Sequence, residues 1–456
     1  MRRLGIFVLY GVWIATAQGA LPEPTFTSAQ LRSDLQEIDK ALHEMPADLS
    51  HSVDERDLIR AIRDLDAKLE NTPPLTRDEA WREFATLNPL LADGHLFIGF
   101  VDWRADVRAH LADGGSLFPF EVDVTPGCEL NVRHSPYGSS LSPRPHADIR
   151  AVNGVPAGEV CETLMARVHG DTRAFRADLL SRRFWFFYWK VFGAPNAYAI
   201  SLKSAVALRF GGGVQSFIGS TNLPELLEDE QGFRRQFDVE FVGDAADRSA
   251  NIAILHLRTF AWPNNDEVLA FTKQAFETIK SQRIKRLIID LRDNGGGNDD
   301  QWIEGVMPYL ATKRWRTASS FRKRVVTADP AKGEKVGDVV DGQMENWFDP
   351  QPENPLHFGG KVYVAVGPGT YSSAVVMATV FQDFGFGKVI GSGNSVRASQ
   401  SGGTRRTTLT NTGLIVVTPR FVLKRPSAAT QPEFLTPDFA VAPDASLAEF
   451  PATLGK

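Results

Sequence analysis

The sequence predicts an α/β protein with a helical front, a strand-rich insert and a core in which strands and helices alternate. Three observations carry that expectation. From Asn251 onward, short apolar runs alternate with amphipathic stretches, the βαβ order of a parallel sheet. Between Thr25 and about Leu90 apolar residues recur at three-to-four spacing, the period of helices packed on one face. Between these parts, FPFEVDV and ELNVRHS alternate with a period of two, as half-buried strands do.

Taken in order, residues 1–19 open with Arg2 and Arg3, continue through an apolar run from Leu4 to Ala17 and end in small residues, the layout of a secretory signal cleaved near Ala17 to Ala20. The run is shorter than the roughly 20 residues a spanning helix needs. An exported protein, periplasmic or secreted, with no stable membrane span is therefore expected. Residues 24–115 are expected to form a short bundle, with SDLQEIDKALHEM, ERDLIRAIRDLDAKL and RDEAWREFATLNPLL as helices and Ser33-Asp34 and Thr76 to Glu79 as helix starts. This region leads into Leu91-Ala92-Asp93-Gly94-His95. Residues 116–200 hold the alternating strands, a turn-rich link, a tight Asn153-Gly154 turn entering a helix, and the aromatic run FWFFYWKVF, Phe184 to Phe192, which reads as a buried packing helix.

Residues 201–456 carry the α/β core. NIAILHLRTF is a strand, DEVLAFTKQAFETIKS a helix and RLIIDL a buried strand, followed by a glycine turn and a helix from about Gln301. The strand VYVAV, a Gly-Pro-Gly-Thr turn, the helix SSAVVMATVFQDF and the strand KVIGS come next, and RRTTLT and GLIVVTPRFVL are expected to close the sheet. The charge-free stretch Val362 to Phe381 is not a membrane span, because its central turn breaks it into a strand and a helix.

Composition narrows the function. Fifty Lys and Arg against fifty-five Asp and Glu give a net charge of −5 and no strongly basic segment, so nucleic acid is not the expected partner. Two cysteines, Cys128 and Cys161, allow one bridge at most and lack the spacing of a zinc site. An oxidising compartment would permit that bridge without requiring it. No histidine pair has ligand spacing, so neither a metal nor another cofactor is expected.

Two turns could carry chemistry. In LIIDLRDNGGGND, Leu287 to Asp299, a buried strand runs into Asn294-Gly295-Gly296-Gly297, whose successive N–H groups could hold an oxyanion, with Asp290 and Arg292 paired to brace the turn. In VAVGPGTYSSAVVMA, a second buried strand delivers Ser372 and Ser373 to a helix start, where free N–H groups favour developing negative charge. Taken singly, a triple glycine is most often a turn, and a serine at a helix start most often caps it. The GxSxG elbow is absent.

Together with LADGHLF, these motifs resemble the tail-specific, or C-terminal processing, serine peptidases, most closely their tricorn-core-like branch. The DLRxNxGG pattern stands as Asp290 to Gly297, and the Thr-x-Ser-(Ser/Ala) pattern as Thr370-Tyr371-Ser372-Ser373-Ala374. FQDFG, GLIVVTPRF, TPDFAV and AVNGVP, which is similar to the ending of a PDZ module, extend the likeness over most of the chain after residue 25. The resemblance implies a ClpP/crotonase-like core with an N-terminal helical bundle and a reduced PDZ-like insert. It implies an endopeptidase acting on peptides or unfolded proteins through an acyl-enzyme on Ser372, with His95 as general base, Glu433 as orienting acid, and an oxyanion hole from the N–H groups of Gly296 and Ser373.

The chain departs from the family in three places, the first being Glu433, which stands only four residues before Pro437, closer than the family's orienting glutamate. Arg397 stands at the spacing where the C-terminal processing branch has its basic lysine, and a guanidinium cannot accept the proton; a substrate carboxylate is the role left for it. Gly94 stands where the tricorn-like branch often has a serine before its histidine. These departures keep open a second reading, a catalytically inactive peptidase fold that binds a hydrophobic ligand or peptide.

Overall fold

The computed structural model describes residues 23–134, 145–203, 214–243, 251–428, 432–443 and 445–450, so the expected leader lies outside the described residues. Among the described residues no helix is long and apolar enough to cross a membrane.

The front is helical because its starts are capped and its apolar stripes share one side. Thr27 and Gln30 form a reciprocal capping box for the helix Ser28–Glu44, Asp54 caps Glu55–Glu70, and Thr76 with Glu79 closes a second box at Arg77–Phe84. The first helix thus begins five residues before Ser33-Asp34, because Thr27 already satisfies the first-turn N–H groups. Asp34 is instead buried inside the helix, where Oδ2 accepts the Thr412 N–H at 2.8 Å and its hydroxyl at 2.6 Å, tying the front to the far end of the chain.

The insert is an antiparallel sheet in the order Glu121–Val124, Leu130–His134, Asp148–Val152, Ala197–Lys203, Val214–Ile218. It therefore runs past residue 200, since Ala197–Lys203 pairs with Asp148–Val152 and carries Val214–Ile218 at its outer edge. Asn153 and Gly154, at φ 50° and 82°, make the tight turn into Val155–Pro156 and the helix Ala157–Met165. That helix is joined to the sheet by a disulfide between Cys128 and Cys161. The aromatic helix Phe184–Phe192 is buried from Phe184 to Tyr188, with Trp81 and Phe100 of the front packed on Phe187 and Phe186.

The core sheet runs Phe237–Val242, Ile252–Leu257, Arg286–Asp290, Lys361–Val366, Lys388–Gly391, Phe439–Ala440. Only its first pair is antiparallel. Leu287, Ile288 and Ile289 are fully buried because both faces of the sheet are covered, which is why their segment reads as continuously apolar. The RRTTLT and GLIVVTPRFVL segments do not close this sheet, because Phe439–Ala440 occupies the edge next to Lys388–Gly391. Arg405–Thr408 and Ile415–Thr418 instead form a three-stranded sheet with Phe97–Gly99 of the front, and Phe421–Leu423 lies between Ser320–Arg324 and Gln400–Gly402. Pairing of Val417 with Phe97 fixes the front against the core two residues beyond His95.

Candidate active site

The two predicted turns meet at adjacent parallel strand ends. Arg286–Asp290 and Lys361–Val366 pair in register, and the turns leaving them are tied to each other. The Thr370 hydroxyl donates to the Leu291 carbonyl at 2.7 Å and accepts the Gly367 N–H at 2.9 Å, while the Tyr371 N–H donates to the Asn294 carbonyl at 2.9 Å. Asp290 and Arg292 do pair, at 2.9 and 3.0 Å. Burial alone would raise the Asp290 carboxyl, but hydrogen bonds from His256 and Arg292 hold it well below the usual carboxylate range.

Ser372 stands immediately before the helix Ser373–Phe384 at φ 53° and ψ −125°, a conformation costly for a residue with a Cβ, and its side chain makes no capping hydrogen bond. The cap expected of an ordinary serine at this position is therefore missing. Gly296, at φ 95°, lies so close that an added Cβ would meet the Ser372 Cβ at 2.6 Å and the Ser373 nitrogen at 3.0 Å. The Gly296 N–H itself donates to Asn294 Oδ1 at 2.8 Å. The neighbouring Gly295 lines the cleft described below. Ser373 contributes a first-turn N–H with no acceptor within the helix, and its buried hydroxyl bonds to Asp299 and accepts the Trp302 indole N–H at 3.0 Å.

His95 comes from the front, and one short strand reaches both it and the serine. In Gln400–Gly402, Gln400 Oε1 accepts the Ser372 N–H at 2.9 Å and the next residue, Ser401, places its Oγ 3.1 Å from His95 Nδ1. Ser401 Oγ also donates to Asp93 Oδ1 at 2.9 Å, so it accepts from His95 Nδ1–H. This tautomer leaves Nε2 with the free lone pair. Burial pushes the imidazole below its ordinary pKa while Asp93, 4.0 Å away, pulls it back up. The ring lies 4.8 Å from that of Tyr371, the residue before Ser372. Among the described residues His95 and Ser372 make no direct hydrogen bond, a contact that commonly tightens only once substrate is bound.

Behind the imidazole sits a buried acid pair. The Tyr371 hydroxyl lies 3.0 Å from Asp93 Oδ1 and 2.9 Å from Asp171 Oδ1, and it accepts the Gly94 N–H at 2.8 Å. The phenolic proton is thus placed between two carboxyl oxygens, and the Gly94 N–H also reaches Asp171 Oδ1 at 3.1 Å. Burial and the Asp93 charge push Asp171 up to about 6, above the usual carboxylate range. Gly94 is fixed by the same phenol, since a Cβ there would fall 2.6 Å from the Tyr371 ring.

Among the described residues Arg397 and Glu433 make neither a hydrogen bond nor an ion pair with the imidazole. Arg397 is 9% exposed and is used internally: its N–H donates to Asp171 Oδ2 at 2.8 Å and its guanidinium to the Ala92 carbonyl at 2.6 Å. Glu433, with its side chain 66% exposed, lies 3.3 Å from Arg397 Nε, and Arg397 bridges to Phe434. The groups bound to the imidazole are thus Ser401 and, through it, Asp93. Asp93 was visible within LADGH, but nothing in the sequence marks Ser401, Gln400 or Asp171. Among the described residues no cluster of His, Cys, Asp and Glu is gathered as metal ligands.

A cleft of about 1640 Å³ opens beside this arrangement, with Gly94, Tyr371 and Gly295 in its wall and His169, Trp103 and Arg183 further along. His169 stacks on Phe97 at 4.0 Å, and burial, reinforced by the charges of Arg183 and His95, pushes it down to about 3.

Residues 251–441 match the model of peptidase family S41. That segment contains Ser372, the glycine turn and Ser401, whereas Asp93 and His95 lie outside it. No curated protein matches the chain by sequence. Among solved structures, mature CPAF is similar with a TM-score of 0.64 at 13% identity, covering 91% of this chain and 92% of that one. Mature CPAF complexed with lactacystin gives 0.63 at 13% identity, covering 91% and 94%. At that identity the likeness is one of fold, and it extends over the front as well as the core.

Proposed function

We propose that this chain, a serine-type peptidase by its family S41 domain over residues 251–441, is an exported endopeptidase that uses Ser372 as nucleophile and His95 as general base on peptide or unfolded-protein substrates. The observation that carries the proposal is the strand Gln400–Gly402, one residue of which holds the Ser372 N–H and the next the His95 Nδ1. Ser372 gives its proton to Nε2 as Oγ attacks the scissile carbonyl; the imidazolium then protonates the leaving amine, and water hydrolyses the acyl-enzyme by the same route.

The oxyanion would be met by the Ser373 N–H and by an N–H of the glycine turn. Because Asn294 already engages the Gly296 N–H, the role of Gly296 is to let the turn approach Ser372, and Gly295, which lines the cleft, is the donor we favour. The orienting acid we assign is Asp93 acting through Ser401, with Glu433 as the family-derived alternative. The layout of residues 1–19 and the Cys128–Cys161 bond support export to an oxidising compartment. The antiparallel insert with its helix Ala157–Met165 supports a reduced PDZ-like module.

The test is a fluorophosphonate serine probe together with cleavage of unfolded protein by wild type, Ser372→Ala and His95→Ala. Labelling confined to Ser372 and loss of at least about 1000-fold in kcat for either variant are expected. Wild-type protein that neither labels nor cleaves would establish the inactive, binding-only reading.

A further inference from the structure

Three arginines, Arg104, Arg182 and Arg183, line the wall of the cleft, the first and third over the Trp103 ring, and only two of the three are held by carboxylates through hydrogen bonds. Arg104 is held by Glu230 through two hydrogen bonds of 2.7 and 2.6 Å. Arg182 bonds Asp178 at 2.7 Å and Asp293 at 2.8 Å. Arg183, at the junction of the helices Arg173–Arg182 and Phe184–Phe192, has neither a hydrogen bond nor an ion pair on its guanidinium among the described residues; its Nε is buried and unpartnered. Its Cζ lies over the Trp103 ring at 4.5 Å.

The Arg183 side chain is partly buried, and its Nε is shut off from water with no partner, the kind of polar atom folded proteins normally satisfy. Burial and the neighbouring charges of Arg104 and Arg182 push Arg183 down to about 9, although the carboxylates of Glu230 and Asp178, already engaged by those two arginines, pull it back up. A scaffold arginine would be expected to have been paired as its two neighbours are. Arg183 instead lines the same cleft as Gly94, Tyr371 and Gly295, and its charge acts on His169, another residue of that wall.

We infer that Arg183 receives a carboxylate of the bound peptide and so makes substrate acidity a determinant of specificity. The inference rests on the hydrolytic reading for its substrate class, but recognition can be read without turnover. A planar guanidinium stacked on an indole is preorganised for two parallel hydrogen bonds to a carboxylate. That carboxylate comes from a Glu or Asp side chain or from a peptide C-terminus, and the two sources separate experimentally.

The experiment uses one neutral fluorogenic peptide carrying Glu or Gln at each position in turn, with its C-terminus free or amidated. The full chain as wild type, Arg183→Gln and Arg183→Lys is assayed for cleavage, and Ser372→Ala for binding by fluorescence anisotropy. Wild type is expected to favour a carboxylate at one side-chain position, or at the terminus, by about 10- to 100-fold in kcat/KM. The ratio should fall to within about twofold in Arg183→Gln and be partly kept in Arg183→Lys. A Ser372→Ala protein that binds the acidic peptide more tightly supports the inference even if wild type cleaves nothing, a result that would remove only the hydrolytic reading. Equal handling of Glu and Gln at every position and of acid and amide termini, in cleavage and in binding, overturns it. So does a preference that survives Arg183→Gln. Should Arg183→Gln not fold, Arg183→Lys carries the test, and a preference there as large as in wild type overturns the inference.

Discussion

Ser401→Ala isolates the link between His95 and Asp93. Ser401 is 4% exposed and its Oγ sits 3.1 Å from His95 Nδ1 and 2.9 Å from Asp93 Oδ1, so the change removes both bonds while leaving Asp93 its contacts with the His95 N–H and Tyr371. As His95 takes the serine proton it becomes an imidazolium, and the bond through Ser401 then connects two charged groups. A hydrogen bond to a charged partner contributes about 1.5–3 kcal/mol, which corresponds to a fall in kcat of about 10- to 150-fold with KM little changed. The pH profile supplies the sign. Burial sets the His95 pKa below about 6.5 and Asp93 raises it from there. Weakening that anion's hold lowers the pKa further, so the neutral, basic imidazole persists to lower pH and the acid limb of kcat/KM moves down as the plateau falls. Asp93→Asn should shift the limb the same way with a larger loss, and Glu433→Gln, whose carboxylate is 66% exposed against Arg397, should stay within about twofold of wild type. Peptide turnover from pH 4.5 to 9 measures all three, with circular dichroism to verify folding. If Ser401→Ala matches wild type in both kcat and acid limb while Glu433→Gln loses more than about tenfold, the orienting acid is Glu433 and the reasoning fails.

Three further outcomes follow from the same geometry. Gly94→Ser, which restores the serine of the tricorn-like branch, should destabilise by about 1–3 kcal/mol in urea unfolding, because its Cβ would fall 2.6 Å from the Tyr371 ring; a variant as stable as wild type would show that the ring yields freely. Gly296→Ala, forced to φ 95° with its Cβ 2.6 Å from that of Ser372, should lower kcat by at least about 100-fold, and retained activity would remove the close approach of the two turns from the mechanism. The Cys128–Cys161 bond closes a separation of 33 residues, so the double change to Ser should cost about 3–4 kcal/mol, equal to what dithiothreitol removes from wild type; a reductant-insensitive midpoint would argue against the bridge.

How legible the site was depended on the range over which each part is assembled. The serine and glycine turns could be read because each is local: a buried strand, a tight turn and the residues leaving it are contiguous, and pairing of two neighbouring parallel strands brings both to the same sheet end. His95 could be read only through resemblance, since its position against the core depends on Phe97–Gly99 pairing with Ile415–Thr418. What orients it could not be read at all. Ser401 lies 306 residues from His95 and 308 from Asp93, in a strand of three residues with no periodic signature. The RRTTLT and GLIVVTPRFVL segments show the same limit. Their apolar pattern predicts strands correctly, but which sheet edge a strand joins depends on what already occupies that edge.

Gly94 shows why a departure from a family pattern should be weighed with its surroundings rather than counted as a loss. Read alone, the missing serine removes one hydrogen bond from the base. In the fold, the space is filled by the Tyr371 hydroxyl, which takes the Gly94 N–H at 2.8 Å and lies 3.0 Å from Asp93, while Ser401 supplies a hydroxyl to Nδ1 from another strand. The tyrosine between Thr370 and Ser372 and the glycine before His95 are therefore one paired feature: a side chain at 94 and the phenol ring at 371 cannot share the same volume. Gly94→Ser combined with Tyr371→Ala should therefore be more stable than the sum of the two single losses, by about 0.5–3 kcal/mol, because the clash present in the first single variant is absent from the pair. Strict additivity in urea unfolding of the four proteins would mean that the two positions do not compete, and that the phenol is held for its bonds to Asp93 and Asp171 alone.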